Sequence, residues 1–291
     1  MTFHNYTFNV NFKDGTETTV LCYEKFSSPE ILHPLIFCQG ATCYVDELTP
    51  EFAQDILSRT SVTHLVVYNY RGLNTGRTNV PKINQYSTKL LADDLNQIVH
   101  FCEMNIWKRF TKISFAGYSF GGVIMQEYLR HFGDKRIRSM VYVLSLCFRC
   151  CRLDYRKLID YAFRYQRYVK NEDKKHENFT YENYEEHTKY WNKKQIKKKL
   201  LVYQSLSMIF DRIFDRHSCV FTQQDLNIPI LMITAKGDEI FNYDKNKDCL
   251  SNHYPPKLFK HVHLTGSQHN IFWKDPIFIS NYFVDFYKQF D

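Results

Sequence analysis

Ser119 sits at the centre of the run Phe115-Ala116-Gly117-Tyr118-Ser119-Phe120-Gly121-Gly122, where Gly117, Ser119 and Gly121 complete the spacing G-x-S-x-G. A serine hydroxyl becomes a useful nucleophile only when it is pushed clear of the chain, given a base, and faced by donors for the negative charge it creates. The flanks of this run meet the first demand. Before it, Lys112 to Ala116 reads as a short buried strand; after it, Val123 to Leu129 reads as a helix. A strand that breaks sharply into a helix with serine at the bend thrusts the hydroxyl into a pocket. It also sets the serine at a helix N-terminus, where free backbone N–H groups favour developing negative charge. Gly117 and Gly121 keep side chains out of a bend that has no room for them. The bare spacing also arises by chance around a helix-capping serine; the strand–turn–helix context is what favours the chemical reading.

Such a bend needs a sheet to hold it, and the chain supplies one. Phe3 to Phe12 alternates with period two, Lys13-Asp14-Gly15-Thr16 is a hairpin turn, and Thr18 to Tyr23 returns. Leu35 to Cys38 is an all-apolar run of the kind found in strands covered on both faces, and His64 to Tyr68 reads as the next buried strand. Between them a helix is expected from Asp46 to Ser58, with Pro50 in its first turn. Ser87 or Thr88 caps a helix bearing Leu91, Leu95, Ile98 and Cys102 on one face. Strands follow at Ser139–Leu146, Ile228–Thr234 and Leu258–Leu264, and an aromatic-rich helix closes the chain from Pro276 to Phe290. Strands alternating with helices predict an α/β fold, a mostly parallel sheet with helices on both faces, and function at the carboxyl ends of its strands. Most of the ten glycines, Gly40, Gly72, Gly76, Gly117, Gly121, Gly122, Gly237 and Gly266, fall at those ends.

At 291 residues and 44% hydrophobic content, the chain can build one large α/β core with an insertion, or two small domains. The net charge of +7 is not spread evenly. Residues 148–222 hold 17 Lys and Arg against 10 Asp and Glu, while the remainder is balanced at 21 of each. The excess marks a separate module, and it lacks the basic stripe of a nucleic-acid fold. Nine cysteines without framework spacing suit buried free thiols in a reducing compartment. Cys147, Cys150 and Cys151 cluster, but no second pair answers them at zinc spacing. No signal peptide or membrane-length apolar run is visible, so a soluble cytoplasmic protein is expected.

On these motifs the sequence resembles the α/β-hydrolase fold family from about Leu35 to Phe290. The resemblance implies a triad in the order nucleophile, acid, histidine, and it assigns the first place to Ser119. Asp238, in Ala235-Lys236-Gly237-Asp238, matches the acid position; the alternative position one strand earlier, Leu146-Cys147-Phe148, has no carboxylate, and Glu239 and Asp244 are weaker rivals. His269, in the loop Thr265 to Asn270 before the closing helix, matches the base. The oxyanion donors it implies are the backbone N–H groups of Ala41 and Phe120. The family's usual His-Gly is here Gln39-Gly40, which keeps the glycine and loses the imidazole. Tyr70-Arg71-Gly72 matches a family turn expected to be structural.

The family inserts a cap where residues 148–222 lie, giving a core of 1–147 and 223–291 and a helical lid. The lid's aromatics are expected to face the pocket and Lys197, Lys198 and Lys199 to stay in water, able to contact an acidic membrane surface weakly. The expected activity is hydrolysis of carboxylic esters or related acyl compounds, acylglycerol-like lipids among them, through an acyl-enzyme. The expected partner is a small-molecule substrate, with no nucleic acid, cofactor or metal. His261 and His263 share one strand face and leave a metal reading open in principle. An acyltransferase or thioesterase of the same fold, or a binding protein that keeps the pocket without turnover, are the alternatives.

Overall fold

The chain enters the fold through a hairpin whose turn is written in its residues. Phe12 N–H donates to Thr16 O at 2.8 Å, Gly15 N–H donates to Phe12 O at 2.9 Å, and Gly15 adopts φ 80°. This positive φ is the one glycine holds without a Cβ penalty. A computed structural model describes residues 3–25, 32–73, 86–109, 111–145, 196–197, 200–207, 227–238 and 254–290. The hairpin strands are β1 (Phe3–Asn11) and β2 (Glu17–Lys25), paired antiparallel from Phe3 opposite Lys25 to Asn11 opposite Glu17.

Among the described residues six further strands join them in one sheet: β3 (Pro34–Cys38), β4 (His64–Tyr68), β5 (Ile113–Tyr118), β6 (Ile137–Val143), β7 (Ile230–Gly237) and β8 (Phe259–Gln268). Their order across the sheet is β1-β2-β4-β3-β5-β6-β7-β8. β2 runs antiparallel to β4, and every pairing from β4 onward is parallel. Among the described residues the helices include α1 (Pro50–Arg59), α2 (Thr88–Asn105), α3 (Phe120–Phe132), the short α4 (Ile271–Lys274) and α5 (Pro276–Phe290). Every residue of β3, β4 and β5 is buried, because helices cover both faces of the sheet there.

Two hydrophobic clusters lie on the two faces. One gathers Leu91, Leu95 and Ile98 of α2 with Ile124 and Tyr128 of α3. The other gathers Phe52 and Ile56 of α1 with Phe272 of α4 and Phe283 of α5. Phe52 meets Phe37, Phe272 and Phe283 edge to face, with ring centroids 5.1–5.8 Å apart. Such pairs add about 0.5–1.5 kcal/mol each beyond their burial, so they tie the closing helices firmly to the sheet.

The element types follow the sequence, and the differences have local causes. The helix expected from Asp46 starts at Pro50 instead, with Thr49 as its cap accepting from Phe52 N–H; Val45–Glu47 is a separate 3₁₀ turn. Proline has no N–H and a fixed φ, so it starts a helix more readily than it sits inside one. Ser87, not Thr88, caps α2 by accepting from Leu90 N–H at 3.1 Å. The last strand runs to Gln268, past the expected end at Leu264, because Gly237 still pairs with Gln268 across a register shift. No helix among the described residues is long and apolar enough to cross a membrane.

Candidate active site

Ser119 is the single residue between the end of β5 and the start of α3. Its backbone takes φ 52° and ψ −114°, a conformation that L-residues avoid at a cost of about 1–3 kcal/mol. The neighbours hold it there. Ser119 N–H donates to Val143 O, the end of β6, at 2.9 Å. A Cβ at Gly121 would run into the carbonyl of Cys38, and one at Gly117 would lie 2.6 Å from Gly122 N. Backbone cannot step aside as a side chain can, so the sharp bend depends on both glycines.

The other two candidate residues arrive from separate loops. Asp238 follows β7 and His269 follows β8. His269 Nε2 lies 2.9 Å from Ser119 Oγ, and Nδ1 lies 2.8 Å from Asp238 Oδ2. An ionised carboxylate only accepts hydrogen bonds. The ring therefore carries its proton on Nδ1, donates it to Asp238, and leaves Nε2 free to accept from the serine hydroxyl. The Asp238 carboxylate is 2% exposed and the His269 ring 14%, so little water competes for either contact. A hydroxyl, an imidazole and a buried carboxylate in this series can pass the serine proton to the ring as the oxygen attacks.

The loop after β3 lies against this bend, with the Cys38 carbonyl facing Gly121 and Gly40 beneath the Tyr118 ring. Phe120 is the first residue of α3, where a helix leaves N–H groups without intrahelical acceptors. Gly40 and Ala41 begin a turn in which Cys43 N–H donates to Gly40 O at 3.3 Å and Thr42 takes φ 62°. Tyr70 donates its hydroxyl to Gln39 O at 2.7 Å, and Asn69 Oδ1 accepts from Val45 N–H at 2.8 Å. The Gln39 side chain, turned so that both ends of its amide are satisfied, donates to Tyr44 O at 2.8 Å and accepts from Val45 N–H at 3.2 Å. The glutamine thus braces this turn from beneath.

Two thiols stand close by. Burial pushes both Cys38 and Cys43 up to about 12, with Tyr68 and Lys197 respectively only partly offsetting it. A thiol held protonated is a poor nucleophile, so neither cysteine competes as a nucleophile beside Ser119.

Sequence reasoning missed the side chains that brace these loops. Gln39 registered only as a departure from His-Gly, and Tyr118 only as the unspecified residue of G-x-S-x-G. Arg71 fits its expected structural part. It is buried, with Nε 2.7 Å from Asp94 Oδ2, Nη2 2.5 Å from Asp94 Oδ1 and Nη1 2.8 Å from Asp14 Oδ2. His261 Nε2 and His263 Nδ1 each lie 2.9 Å from Thr234 Oγ1. No group of three or more His, Cys, Asp or Glu forms a metal site among the described residues. Lys197 departs from expectation. Its ammonium pairs with Glu47 and lies 5.2 Å from the Tyr44 ring centroid rather than standing free in water. Glu239, Asp244, Lys198, Lys199 and the Cys147, Cys150 and Cys151 cluster lie outside the described residues, as does most of 148–222.

Comparison with known proteins bears on the fold. A family model described as the alpha/beta hydrolase fold matches residues 33–276. No curated protein sequence matches the chain. Among solved structures, an esterase from Exiguobacterium antarcticum superposes with a TM-score of 0.64 at 14% identity, covering 96% of this chain and 98% of its own. An esterase from Rhodococcus sp. gives 0.61 at 14% identity, covering 100% of both chains. A bromoperoxidase from Bacillus anthracis gives 0.64 at 14% identity, covering 98% of this chain and 100% of its own. At such identities the likeness is one of fold.

Proposed function

The chain belongs to the α/β-hydrolase fold family, and on that premise we propose that it is a serine hydrolase of carboxylic esters, with Ser119, His269 and Asp238 as its triad. The observation that carries this reading is the single imidazole bridging Ser119 Oγ at 2.9 Å and Asp238 Oδ2 at 2.8 Å from three separate loops. Ser119 Oγ attacks the ester carbonyl while its proton passes to His269 Nε2. The carbonyl oxygen takes the negative charge and is held by the N–H groups of Phe120 and Ala41. Asp238 keeps the ring oriented and stabilises its positive charge. The intermediate collapses to an acyl-serine, and His269 gives its proton to the departing alcohol. Water then repeats the sequence, losing a proton to His269 and releasing the acid and the free serine. Among the folds most like this one are esterases, which supports an ester as the substrate.

The basic stretch 148–222 is part of the proposal as a lid. Its support is the helical segment 200–207. Gln204 Nε2 donates to the Tyr86 hydroxyl at 2.8 Å, and Leu200 joins the same core cluster as Tyr44, Tyr70 and Phe120. Tyr44 follows β3 at the strand edge where Ser119 emerges. A lid there would select acyl chains, acylglycerol-like lipids included, and its charge would favour acidic surfaces. The free thiols of Cys22, Cys38, Cys43 and Cys102 suit work in a reducing cytoplasm.

The test is turnover of p-nitrophenyl esters of increasing acyl length by the wild type and by Ser119→Ala. The expected result is hydrolysis by the wild type and a fall in kcat of about 10³-fold or more in the variant. Undiminished turnover by Ser119→Ala would overturn the assignment.

A further inference from the structure

Tyr118 lies immediately before Ser119, and its side chain reaches two other parts of the site. Its hydroxyl donates to the backbone carbonyl of His269 at 2.9 Å, and its ring centroid lies 5.4 Å from the His269 ring. The same ring lies over Gly40, where an added Cβ would come within 2.7 Å of Tyr118 Cδ1. It also stacks on Phe272 at 5.1 Å and meets Trp273 edge-on at 5.6 Å, both in α4 directly after the histidine loop. β5 and β8 are separated by β6 and β7 in the sheet, so the histidine loop must reach back across two strands to meet the serine.

We infer that Tyr118 is a positioning residue that fixes His269 at hydrogen-bond distance from Ser119. Its ring sets the height of the histidine loop above the turn at Gly40. Its hydroxyl fixes the loop's rotation by holding the carbonyl of the residue that bears the imidazole. Tyr118 is 4% exposed, so water is poorly placed to replace that donor. The side chain acts through His269 and touches no reacting atom. The inference rests on the triad reading above.

The experiment compares Tyr118→Phe, which keeps the ring and removes the hydroxyl, in two backgrounds: the wild type and His269→Ala. On a short p-nitrophenyl ester, Tyr118→Phe should lower kcat about five- to ten-fold, the scale of one lost neutral hydrogen bond, with KM within about two-fold and thermal stability close to wild type. In the His269→Ala background the same change should have almost no further effect on the residual rate, because the group it positions is gone. An unchanged kcat in Tyr118→Phe, or an equal fold-loss in both backgrounds, would overturn the inference. Failure of the triad reading is separately visible: Ser119→Ala and His269→Ala would then turn over ester at the wild-type rate.

Discussion

Ser119 holds a backbone conformation that costs stability, and it holds it to point one oxygen. Ser119→Ala removes the hydroxyl and keeps the strain, whereas Ser119→Gly removes both. Relief of φ 52° at a cost of about 1–3 kcal/mol exceeds the roughly 0.4–1 kcal/mol that glycine loses through a freer unfolded chain. Ser119→Gly should therefore unfold at higher denaturant than Ser119→Ala, by about 1 kcal/mol, while both lack activity. Equal stability of the two variants in urea melts would show that the bend is unstrained. At this scale the sequence was most legible where chemistry restricts residue type. Ser119 could be singled out because its bend narrows the choice, and Asp238 and His269 because the family resemblance points to their loops. Tyr118 could not, because its hydroxyl bonds a residue 151 positions away; Gln39 could not, because its amide bonds backbone groups of Tyr44 and Val45, which leave no mark on residue type. No local pattern announces such a contact.

The elements were legible where burial was complete. β4 has the bounds expected of the buried run His64 to Tyr68, since a strand covered on both faces has no polar alternation to blur its ends. Ends governed by a single cap or by cross-strand pairing, as at α1 and β8, moved by several residues. Arg71 joins three elements: the β1–β2 turn through Asp14, the end of β4, and α2 through Asp94. Burial pushes the Asp14 carboxyl up, yet the Arg71 and Thr16 hydrogen bonds outweigh it and hold the group at about 2. Removing one partner of a buried pair leaves the other uncompensated. Arg71→Ala should cost about 3–5 kcal/mol in equilibrium unfolding, and Arg71→Met with Asp94→Leu should recover most of it. A loss below about 1 kcal/mol in the single variant would mean that the pair is spectator to the fold.

The β7–β8 pair makes a pH prediction of its own. Burial, and then the neighbouring His263, push His261 down to about 4. The unfolded histidine titrates near 6.5, so between about pH 6.5 and 4 the unfolded chain binds the extra proton. The stability contributed by neutral His261 is whole above pH 6.5 and is lost as pH falls toward 4. His261→Gln, which retains a partner for Thr234 Oγ1, should lose less melting temperature between pH 7 and pH 5 than the wild type does. Identical pH slopes in the two proteins would remove His261 as the cause.

For the whole molecule, the mostly parallel sheet brings loops distant in the chain to one edge. Ser119, Asp238 and His269 follow β5, β7 and β8, and the turn at Gly40 follows β3. Strand–helix alternation in the sequence pointed to the mostly parallel sheet, whose strands deliver their carboxyl ends to the same side; which residues meet there was implied by the family resemblance. The sequence could not foretell the sheet order or the inward pairing of Lys197 with Glu47, which depend on which faces meet. The charge imbalance was the sequence's reason to expect a separate module at 148–222, and charge carries no information about fold. The central claim is that one serine of this chain is activated by the assembled sheet edge. Its most direct measurement is reaction of the folded protein with a fluorophosphonate probe, followed by digestion and mapping of the labelled peptide by mass spectrometry. The account predicts one equivalent of label on Ser119, abolished by prior unfolding and by His269→Ala. Label on a different serine with Ser119 unmodified, or no label on folded protein that hydrolyses esters, would contradict it.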